Sequence, residues 1–327
     1  YESNLYSAIW TRLPLKDYKF RKRLRKIRNK NEREFRTVTR KAEITSEKET
    51  LYLKYQKNFP EFRSPSVHTY MQDGYEDNIF NTYEACVYDG NELIAFSFFD
   101  IGEKSLASIL GVYSPDYPSF SLGFYTMLLE IQYGLDNGFE IYYPGYVVPG
   151  RPKFDYKKRI GKPEEVQYFD LKTGNWNPFT EFKEAEIPIQ KLTSKLGKIH
   201  VELKKIGIIS QLLYYPSHNM GLPLSDTKFR LDAPVFLNVL PGFFTAPRFI
   251  VSYDIWKDQY ALVNTMRLED LAFQSGNLLQ VDLKKHRPYP DALFKREVIE
   301  ESKNVFDIVG LIWKLKINFE EYNRGSF

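Results

Sequence analysis

The 327-residue sequence contains one cysteine, Cys86, and four histidines. A single cysteine excludes an internal disulfide and a cluster of thiolate metal ligands. The histidines at positions 68, 200, 218 and 286 are scattered and show no ligand spacing such as H-x-x-x-H. The sequence also lacks a run of eighteen apolar residues and a signal-peptide pattern. We therefore expect a cytoplasmic protein that carries no metal and no other cofactor.

The composition is that of an ordinary soluble protein, with 43% hydrophobic residues, 27% charged residues and a net charge of +4. The length allows two domains that each bury a core. Aromatic residues are abundant, with 24 Tyr and 25 Phe. Core packing accounts for most aromatic side chains in proteins, although surfaces that stack nucleobases use the same residue types.

The positive charge is concentrated between Lys16 and Arg36, where eleven Lys or Arg residues meet three acidic ones. Phe20, Leu24 and Ile27 recur at helical spacing, which predicts a helix with one packed side and a basic remainder. A charge run of this kind is more often a solvated face than a binding site. The alternative is a contact with a nucleic-acid backbone, and its candidate residues are Arg21, Arg25 and Arg28.

The next segments alternate between strand and helix patterns. We predict a strand over 5–15, a strand over 35–42, a helix opened by the capping-box pattern Ser46–Glu49 and continuing to about Asn58, and strands over 83–88, 93–101 and 106–113. An Asp-Gly-Asn turn joins the strands 83–88 and 93–101, so these two strands are predicted to form a hairpin.

The stretch from Gly111 to Arg159 is the most informative part of the chain. After the third strand, Ser121 is placed to open a helix whose apolar face carries Leu122, Tyr125, Leu128, Leu129 and Ile131. Gly138 is placed to end this helix. A strand candidate at 141–143 and a loop rich in Tyr and Lys follow.

The order of these motifs resembles the C-terminal part of the aminoacyl-tRNA–protein transferases, the arginyl- and leucyl-transferases of the N-degron pathway. In that family a strand ending in Y-x-P-D is followed by S-L-G at a helix start, then by G-Y and C-P-K-x-x-Y-K. The matching residues are Tyr113, Pro115, Asp116, Ser121, Leu122, Gly123, Gly145, Tyr146, Pro152, Lys153, Tyr156 and Lys157, while Arg151 stands where the family has Cys. A looser likeness extends the match to roughly residues 5–165.

The resemblance implies a GNAT-like acyltransferase core with a mostly antiparallel central sheet, in an α/β (α+β) protein. It implies an enzyme that transfers arginine or leucine from a charged tRNA to the N-terminal α-amine of a protein, with aminoacyl-tRNA and protein N-termini as partners and no membrane. The family's N-terminal cysteine cluster has no counterpart here. It has been lost, or it precedes Tyr1, and both explanations stay open.

The resemblance also assigns candidate roles. Asp116 follows the third core strand and is a candidate to hold the acceptor ammonium and take its proton, with Tyr113 and Ser121 as further catalytic candidates. A turn-forming Asp and a simple helix cap are equally good interpretations of Asp116 and Ser121. The candidates for binding substrate or tRNA are Leu122, Gly123, Tyr125, Tyr146, Arg151, Lys153, Tyr156 and Lys157.

Two functions of other classes compete with this hypothesis. A GNAT-type N-acyltransferase that uses a small thioester donor needs a pyrophosphate-binding loop, and the segment 114–124 offers only one glycine, Gly123. The other competitor is a binding module for tRNA or protein on a decayed transferase fold.

We expect residues 1–185 to form the GNAT-like domain and residues 186–327 a separate α+β domain. In the second domain we predict a helix over 188–206, strands over 234–240, 249–256, 260–266 and 278–283, and one or two helices over 290–316.

Overall fold

The computed structural model describes residues 5–58, 64–72, 79–219, 231–244, 246–267 and 293–324. These residues divide into two compact units. The first comprises the described residues within 8–169 and 176–182, and the second comprises residues 5–7 and 170–175 and the described residues within 183–324. No described helix is both long and apolar enough to cross a membrane. The domain boundary after residue 185 remains our proposal.

An eight-stranded sheet forms the centre of the first unit, with the order β2-β3-β4-β5-β6-β1-β7-β8. Its strands are β1 (Ile9–Pro14), β2 (Arg36–Lys41), β3 (Thr82–Asp89), β4 (Glu92–Ile101), β5 (Ser105–Tyr113), β6 (Ile141–Val147), β7 (Gln167–Asp170) and β8 (Asn175–Pro178). The helices are α1 (Lys22–Glu34), α2 (Ser46–Gln56), α3 (Val67–Gln72) and α4 (Leu122–Asp136). This is the predicted fold class, a mixed α/β protein whose sheets are mostly antiparallel.

The predicted hairpin and third strand form a meander of β3, β4 and β5, as expected from the Asp-Gly turn. Gly90 in that turn has a φ of +58°, which glycine adopts without steric cost. In β5 the register shifts, because Phe98 faces Leu110 while Phe99 faces Ser108. Ile109 is therefore a bulge residue, and side chains before and after it point to opposite faces of the sheet.

Two predicted helix caps are wrong in detail. The side chain of Thr45, not Ser46, accepts a hydrogen bond from the first turn of α2, at Lys48 N. Glu49 does not close a capping box; its carboxylate accepts hydrogen bonds of 2.9 Å from the backbone N–H groups of Val67 and His68 at the start of α3. Ser121 precedes α4 in a left-handed conformation with a φ of +53° and makes no side-chain cap bond.

Apolar side chains cover both faces of this sheet. On one face α1 and α4 pack against the strands through residues such as Leu24, Leu128 and Ile131. On the other face α2 packs through Leu51 and Tyr52, and these contact a second cluster of buried strand residues that includes Phe96, Phe98 and Val112. The apolar spacing read from the sequence of α4 therefore identifies its buried side correctly.

A buried ion pair lies between β3 and α2. The ammonium of Lys48 is 2.8 Å from the carboxylate of Glu84, and both side chains are almost completely buried. Glu84 also accepts hydrogen bonds from Arg40 and from the backbone N–H of Glu43. Burial raises the pKa of Glu84, but the hydrogen bonds from Lys48, Glu43 and Arg40 outweigh burial and lower the pKa below its usual value.

Because removal of one partner leaves the other charge buried and unpaired, we expect Glu84→Gln to lower the free energy of unfolding by about 3–5 kcal/mol. Arg40→Gln is the matched control, since Arg40 is half exposed and its loss is expected to cost below about 1 kcal/mol. Urea unfolding followed by circular dichroism measures both values. Equal, small effects of the two substitutions would contradict the assigned role of the buried pair.

The second unit contains a five-stranded antiparallel sheet of order β13-β12-β11-β10-β9. Its elements are α5 (Pro188–Lys205), β9 (Ser210–Tyr214), β10 (Val235–Val239), β11 (Phe249–Asp254), β12 (Gln259–Arg267), β13 (Leu293–Ser302) and α6 (Val305–Arg324). The prediction of helix over 290–316 is wrong for 293–302, which pair with β12 as an edge strand. The strand predicted over 278–283 lies outside the described residues.

Candidate functional site

The strands β5 and β6 run parallel and separate soon after they begin. Backbone pairing joins Ser105–Ala107 to Ile141–Tyr143 and does not continue beyond them. On β6 the next residues are Pro144, which has no N–H to donate, and Gly145, with a φ of +93°. On β5 the bulge at Ile109 follows. We call the gap between residues 108–113 of β5 and 144–147 of β6 the strand opening.

The β5 side of the strand opening ends at Tyr113, which packs against the start of α4. A Cβ atom added at Gly123 would lie 2.7 Å from two atoms of the Tyr113 ring, so only glycine permits this approach. The ring of Tyr55 on α2 meets Tyr113 edge to face, with 5.1 Å between ring centres. The S-L-G motif therefore has a structural cause: it lets an aromatic ring rest on the first turn of a helix.

Asp116 lies in the turn that follows β5 and is exposed. Its carboxylate forms an ion pair with Lys54 of α2, and its backbone N–H donates to Ser114 Oγ at 3.4 Å. The hydrogen bond from Lys54 lowers the pKa of Asp116 below its usual value. A carboxylate of low pKa stays ionised and is a weak proton acceptor, so this geometry favours binding of an ammonium over proton transfer. The sequence offered no sign of Lys54 as its partner.

Aromatic side chains and lysines surround the β6 side of the strand opening. Trp10 of β1 contacts Tyr146 edge to face, with 5.9 Å between ring centres, and the ring centre of Phe154 lies 5.6 Å from that of Tyr146. Trp10 is 53% exposed. The Nζ atom of Lys157 lies 5.0 Å from the centre of the Tyr146 ring. The site therefore offers an exposed indole in contact with a tyrosine ring, which suits stacking of a nucleobase.

The predicted Tyr- and Lys-rich loop is a 3₁₀ segment over Pro152–Ile160. Arg151 precedes this segment and Lys153 is its second residue. Both are exposed, and Tyr156 is 37% exposed. Lys157 is half buried, and burial lowers its pKa to about 8. The Nζ atom of Lys157 would lie 3.0 Å from a Cβ atom at Gly145, so the absence of a side chain there makes room for it.

Other sequence candidates lie in the interior. Leu122 and Tyr125 are buried in a cluster with Phe35 and Ile94, which accounts for them as core residues. The hydroxyl group of Tyr125 is buried and has no hydrogen-bond partner among the described residues. The structure therefore does not bring these two side chains to the surface of the strand opening.

The basic helix begins at Lys22 rather than Lys16, and its candidate arginines differ in their surroundings. Arg28 donates to Glu32 and Gln132, and it stacks over the Phe20 ring at 4.6 Å. Arg21 donates to the backbone oxygen of Arg159 and Arg25 donates to that of Phe20. These contacts give Arg28 a structural role within the α1–α4 packing. The exposed cations of this helix are Lys22, Arg23, Arg25, Lys26, Lys30 and Arg33.

Beneath the strand opening lies a buried carboxyl group that sequence patterns did not indicate. The Glu130 Oε2 atom accepts a hydrogen bond of 2.7 Å from the Tyr142 hydroxyl, and the Ser97 and Ser108 hydroxyls lie nearby. The Glu130 Oε1 atom has no hydrogen-bond partner among the described residues. Burial raises the pKa of Glu130 to about 7. The nearby hydroxyl groups lower this pKa, but by less than burial raises it.

The folded protein keeps Glu130 protonated up to about pH 7, whereas the unfolded chain releases this proton near its ordinary pKa of 4.5. The contribution of Glu130 to the free energy of unfolding is therefore fully present below pH 4.5 and is lost as pH rises through the folded pKa. We expect the free energy of unfolding to fall by about 3 kcal/mol across this window and Glu130→Gln to remove that fall. Glu140→Gln, at an exposed carboxylate paired with Lys104, is the control. A wild-type slope that survives Glu130→Gln would contradict this assignment; urea titrations at several pH values measure it.

The described residues contain no group of three or more His, Cys, Asp or Glu side chains placed to hold a metal ion. The single cysteine, Cys86, is fully buried in β3, and burial raises the pKa of its thiol to about 12. A thiol in this state is a poor nucleophile and a poor ligand.

Residues 47–167 match the family model for the C terminus of arginine-tRNA-protein transferase. An aspartate/glutamate leucyltransferase of Leptospira interrogans is 31% identical over 152 residues, which cover 45% of this chain and 59% of that protein. Its counterpart in Campylobacter jejuni is 29% identical over 153 residues, covering 45% of this chain and 63% of that protein. The resemblance to the aminoacyl-tRNA–protein transferases is thus confirmed over the matched region.

A eukaryotic relative and solved structures are more distant. Arginyl-tRNA–protein transferase 1 of Saccharomyces cerevisiae is 26% identical over 136 residues, covering 42% of this chain and 25% of that protein. The C-terminal domain of a putative lysylphosphatidylglycerol synthetase from Agrobacterium fabrum matches with a TM-score of 0.36 at 15% identity, covering 44% of this chain and 48% of that chain. FemX matches with a TM-score of 0.36 at 9% identity, covering 46% and 57%. The chain spans less than two thirds of each of these relatives.

Proposed function

We propose that this protein transfers an aminoacyl group, arginine or leucine, from a charged tRNA to the N-terminal α-amine of a protein. The observation that carries the proposal is the match of residues 47–167 to the transferase family, because that match contains the residues on both sides of the strand opening. The relatives named above are leucyl- and arginyl-transferases, and the identity of the amino acid follows neither from the matched residues nor from the fold.

Transfer of an aminoacyl group from tRNA to an α-amine requires little covalent chemistry from the protein. The ester of an aminoacyl-tRNA is already activated, and an α-amine of pKa about 8 has a usable neutral fraction near pH 7. The enzyme has to hold the two partners in line and accommodate the charge that develops on the carbonyl oxygen. A strand opening with an anionic residue at one end and aromatic rings with cations at the other is suited to that task.

In this proposal Asp116 attracts the acceptor's ammonium group from its position after β5. The terminal adenine of the tRNA stacks on Trp10 beside Tyr146, and Lys153 with Arg151 contacts the last phosphates. The exposed cations of α1 contact phosphates farther along the tRNA. Tyr113 and Ser121 line the start of α4, where the first backbone N–H groups of a helix have no acceptor within the helix and attract a partial negative charge.

The second candidate function is that of an N-acyltransferase of the same fold that uses a thioester donor. Its donor carries a pyrophosphate, which needs a glycine-rich turn before α4, and here the corresponding segment is a 3₁₀ turn at Pro118–Phe120 followed by Ser121. Binding of acetyl-CoA measured by calorimetry would revive this alternative. The remaining competitor, a binding module without activity, binds tRNA but transfers nothing.

The deciding experiment incubates the purified protein with tRNA charged with labelled arginine or leucine and with peptides that begin with Asp, Glu, Lys or Arg. We expect label to appear at the α-amine of at least one peptide, which mass spectrometry locates. Binding of charged tRNA without transfer to any peptide would favour the binding module, and the proposed activity would then be wrong.

Variants separate the two ends of the strand opening. Trp10→Ala is expected to weaken tRNA binding about 5- to 150-fold, the range for loss of one stacked base, while Lys153→Gln lowers the salt dependence by about one unit. Asp116→Asn is expected to leave tRNA affinity unchanged and to raise the KM for the peptide. The control is Trp256→Ala, at an exposed Trp of the second unit. Equal losses from Trp10→Ala and Trp256→Ala would contradict the stacking assignment.

A further inference from the structure

Lys157 differs from the other lysines of its segment in its surroundings. Its Nζ atom lies 5.0 Å from the centre of the Tyr146 ring and 5.8 Å from that of Phe154, beside Gly145 on the part of β6 that no longer pairs with β5. No carboxylate of the described residues lies within ion-pair distance of it. An exposed lysine would contact a phosphate equally well, so phosphate binding alone leaves this half-burial unexplained.

Among the described residues, the groups around Lys157 do not supply a counter-charge. Asp155, on the same 3₁₀ segment, pairs with Lys158 at 2.7 Å. Lys153 lies over the Phe154 ring at 5.3 Å, and Tyr146 faces Lys157 from β6. Burial is the cause of the lowered pKa of about 8, so a substantial fraction of this amine is neutral near physiological pH.

We propose that the Lys157 amine carries the proton during aminoacyl transfer, a role that rests on the proposed function and goes beyond phosphate contact. The acceptor's neutral α-amine attacks the ester carbonyl carbon, and a nitrogen–carbon bond forms. Lys157 Nζ takes the proton that this nitrogen loses. As the bond between the carbonyl carbon and the ribose oxygen breaks, Lys157 returns the proton to that oxygen, so the products are an amide and a free ribose hydroxyl.

Lys157→Arg distinguishes this role from phosphate binding. Arginine keeps the positive charge but does not lose its proton in proteins. If Lys157 carries the proton, the single-turnover rate of transfer falls about 10²-fold or more while tRNA affinity and its salt dependence stay unchanged. If Lys157 only contacts phosphate, Lys157→Arg retains the rate, which overturns the proposal. Lys158→Arg, on the same segment and paired with Asp155, is the matched control and should keep full activity.

A chemical rescue tests whether the effect of Lys157→Arg comes from the larger size of arginine rather than from loss of the amine. Lys157→Cys is expected to be inactive, and alkylation with bromoethylamine restores an amine at nearly the original position. The native Cys86 does not interfere, because it is fully buried and its thiol has a pKa of about 12. Recovery of transfer after alkylation supports the proposal. An alkylated variant that binds tRNA as the wild type does but stays inactive overturns it.

A measurement that needs no turnover tests the amine itself. Limiting acetic anhydride labels neutral lysine amines, and mass spectrometry reports the label on each lysine as a function of pH. Half-maximal labelling of Lys157 is expected near pH 8, against about 10.4 for an ordinary lysine. A midpoint near 10 overturns the proposal whatever the transfer assay shows. Failure of wild-type protein to transfer label refutes the proposed function instead, so the two failures are distinguishable.

Discussion

The early separation of β5 and β6 is the constraint on which the candidate site depends. Parallel pairing ends at Ala107 and Tyr143, because Pro144 donates no hydrogen bond and the bulge at Ile109 shifts the register of β5. Both strands remain fixed on their other sides, β5 by β4 and β6 by β1. The sheet is therefore rigid up to the strand opening, and the side chains that border it are held by regular structure.

Buried polar groups lie in the unit that contains this opening. Glu130 stands below the last paired residues with one oxygen bonded to Tyr142 and the other unpartnered among the described residues. Lys48 and Glu84 join α2 to β3 in the same unit. Since α2 also carries Tyr55 and Lys54, which contact Tyr113 and Asp116, the buried ion pair indirectly positions the β5 side of the site.

Local patterns in the sequence predicted the elements that depend on local chemistry. The Asp-Gly turn and alternating apolar residues defined the meander, and helical spacing defined the buried face of α4. The helix predicted at 293–302 is a strand because pairing with β12 overrides residue preference, with Leu293 and Phe294 buried at one end. The caps failed for a related reason: Glu49 finds its partners 18 and 19 residues away, in α3.

The contacts within the site lay beyond sequence patterns because they join distant segments. Lys54 and Asp116 are 62 residues apart, and Trp10 meets Tyr146 only because β1 inserts beside β6. The motif residues Gly123, Tyr146 and Lys157 were found through the family likeness, and the structure adds physical reasons for each: a ring on a helix start, an aromatic neighbour for Trp10 and a half-buried amine.

The central claim is that the strand opening holds the aminoacyl end of the tRNA. Hydrogen exchange tests it most directly, in the presence of a tRNA whose amino acid is joined through a non-transferable amide. The account predicts that this tRNA slows exchange at backbone amides of residues 111–123 and 145–157 more than uncharged tRNA does. Slowed exchange confined to the strands of residues 235–263, or equal protection by charged and uncharged tRNA, would contradict it.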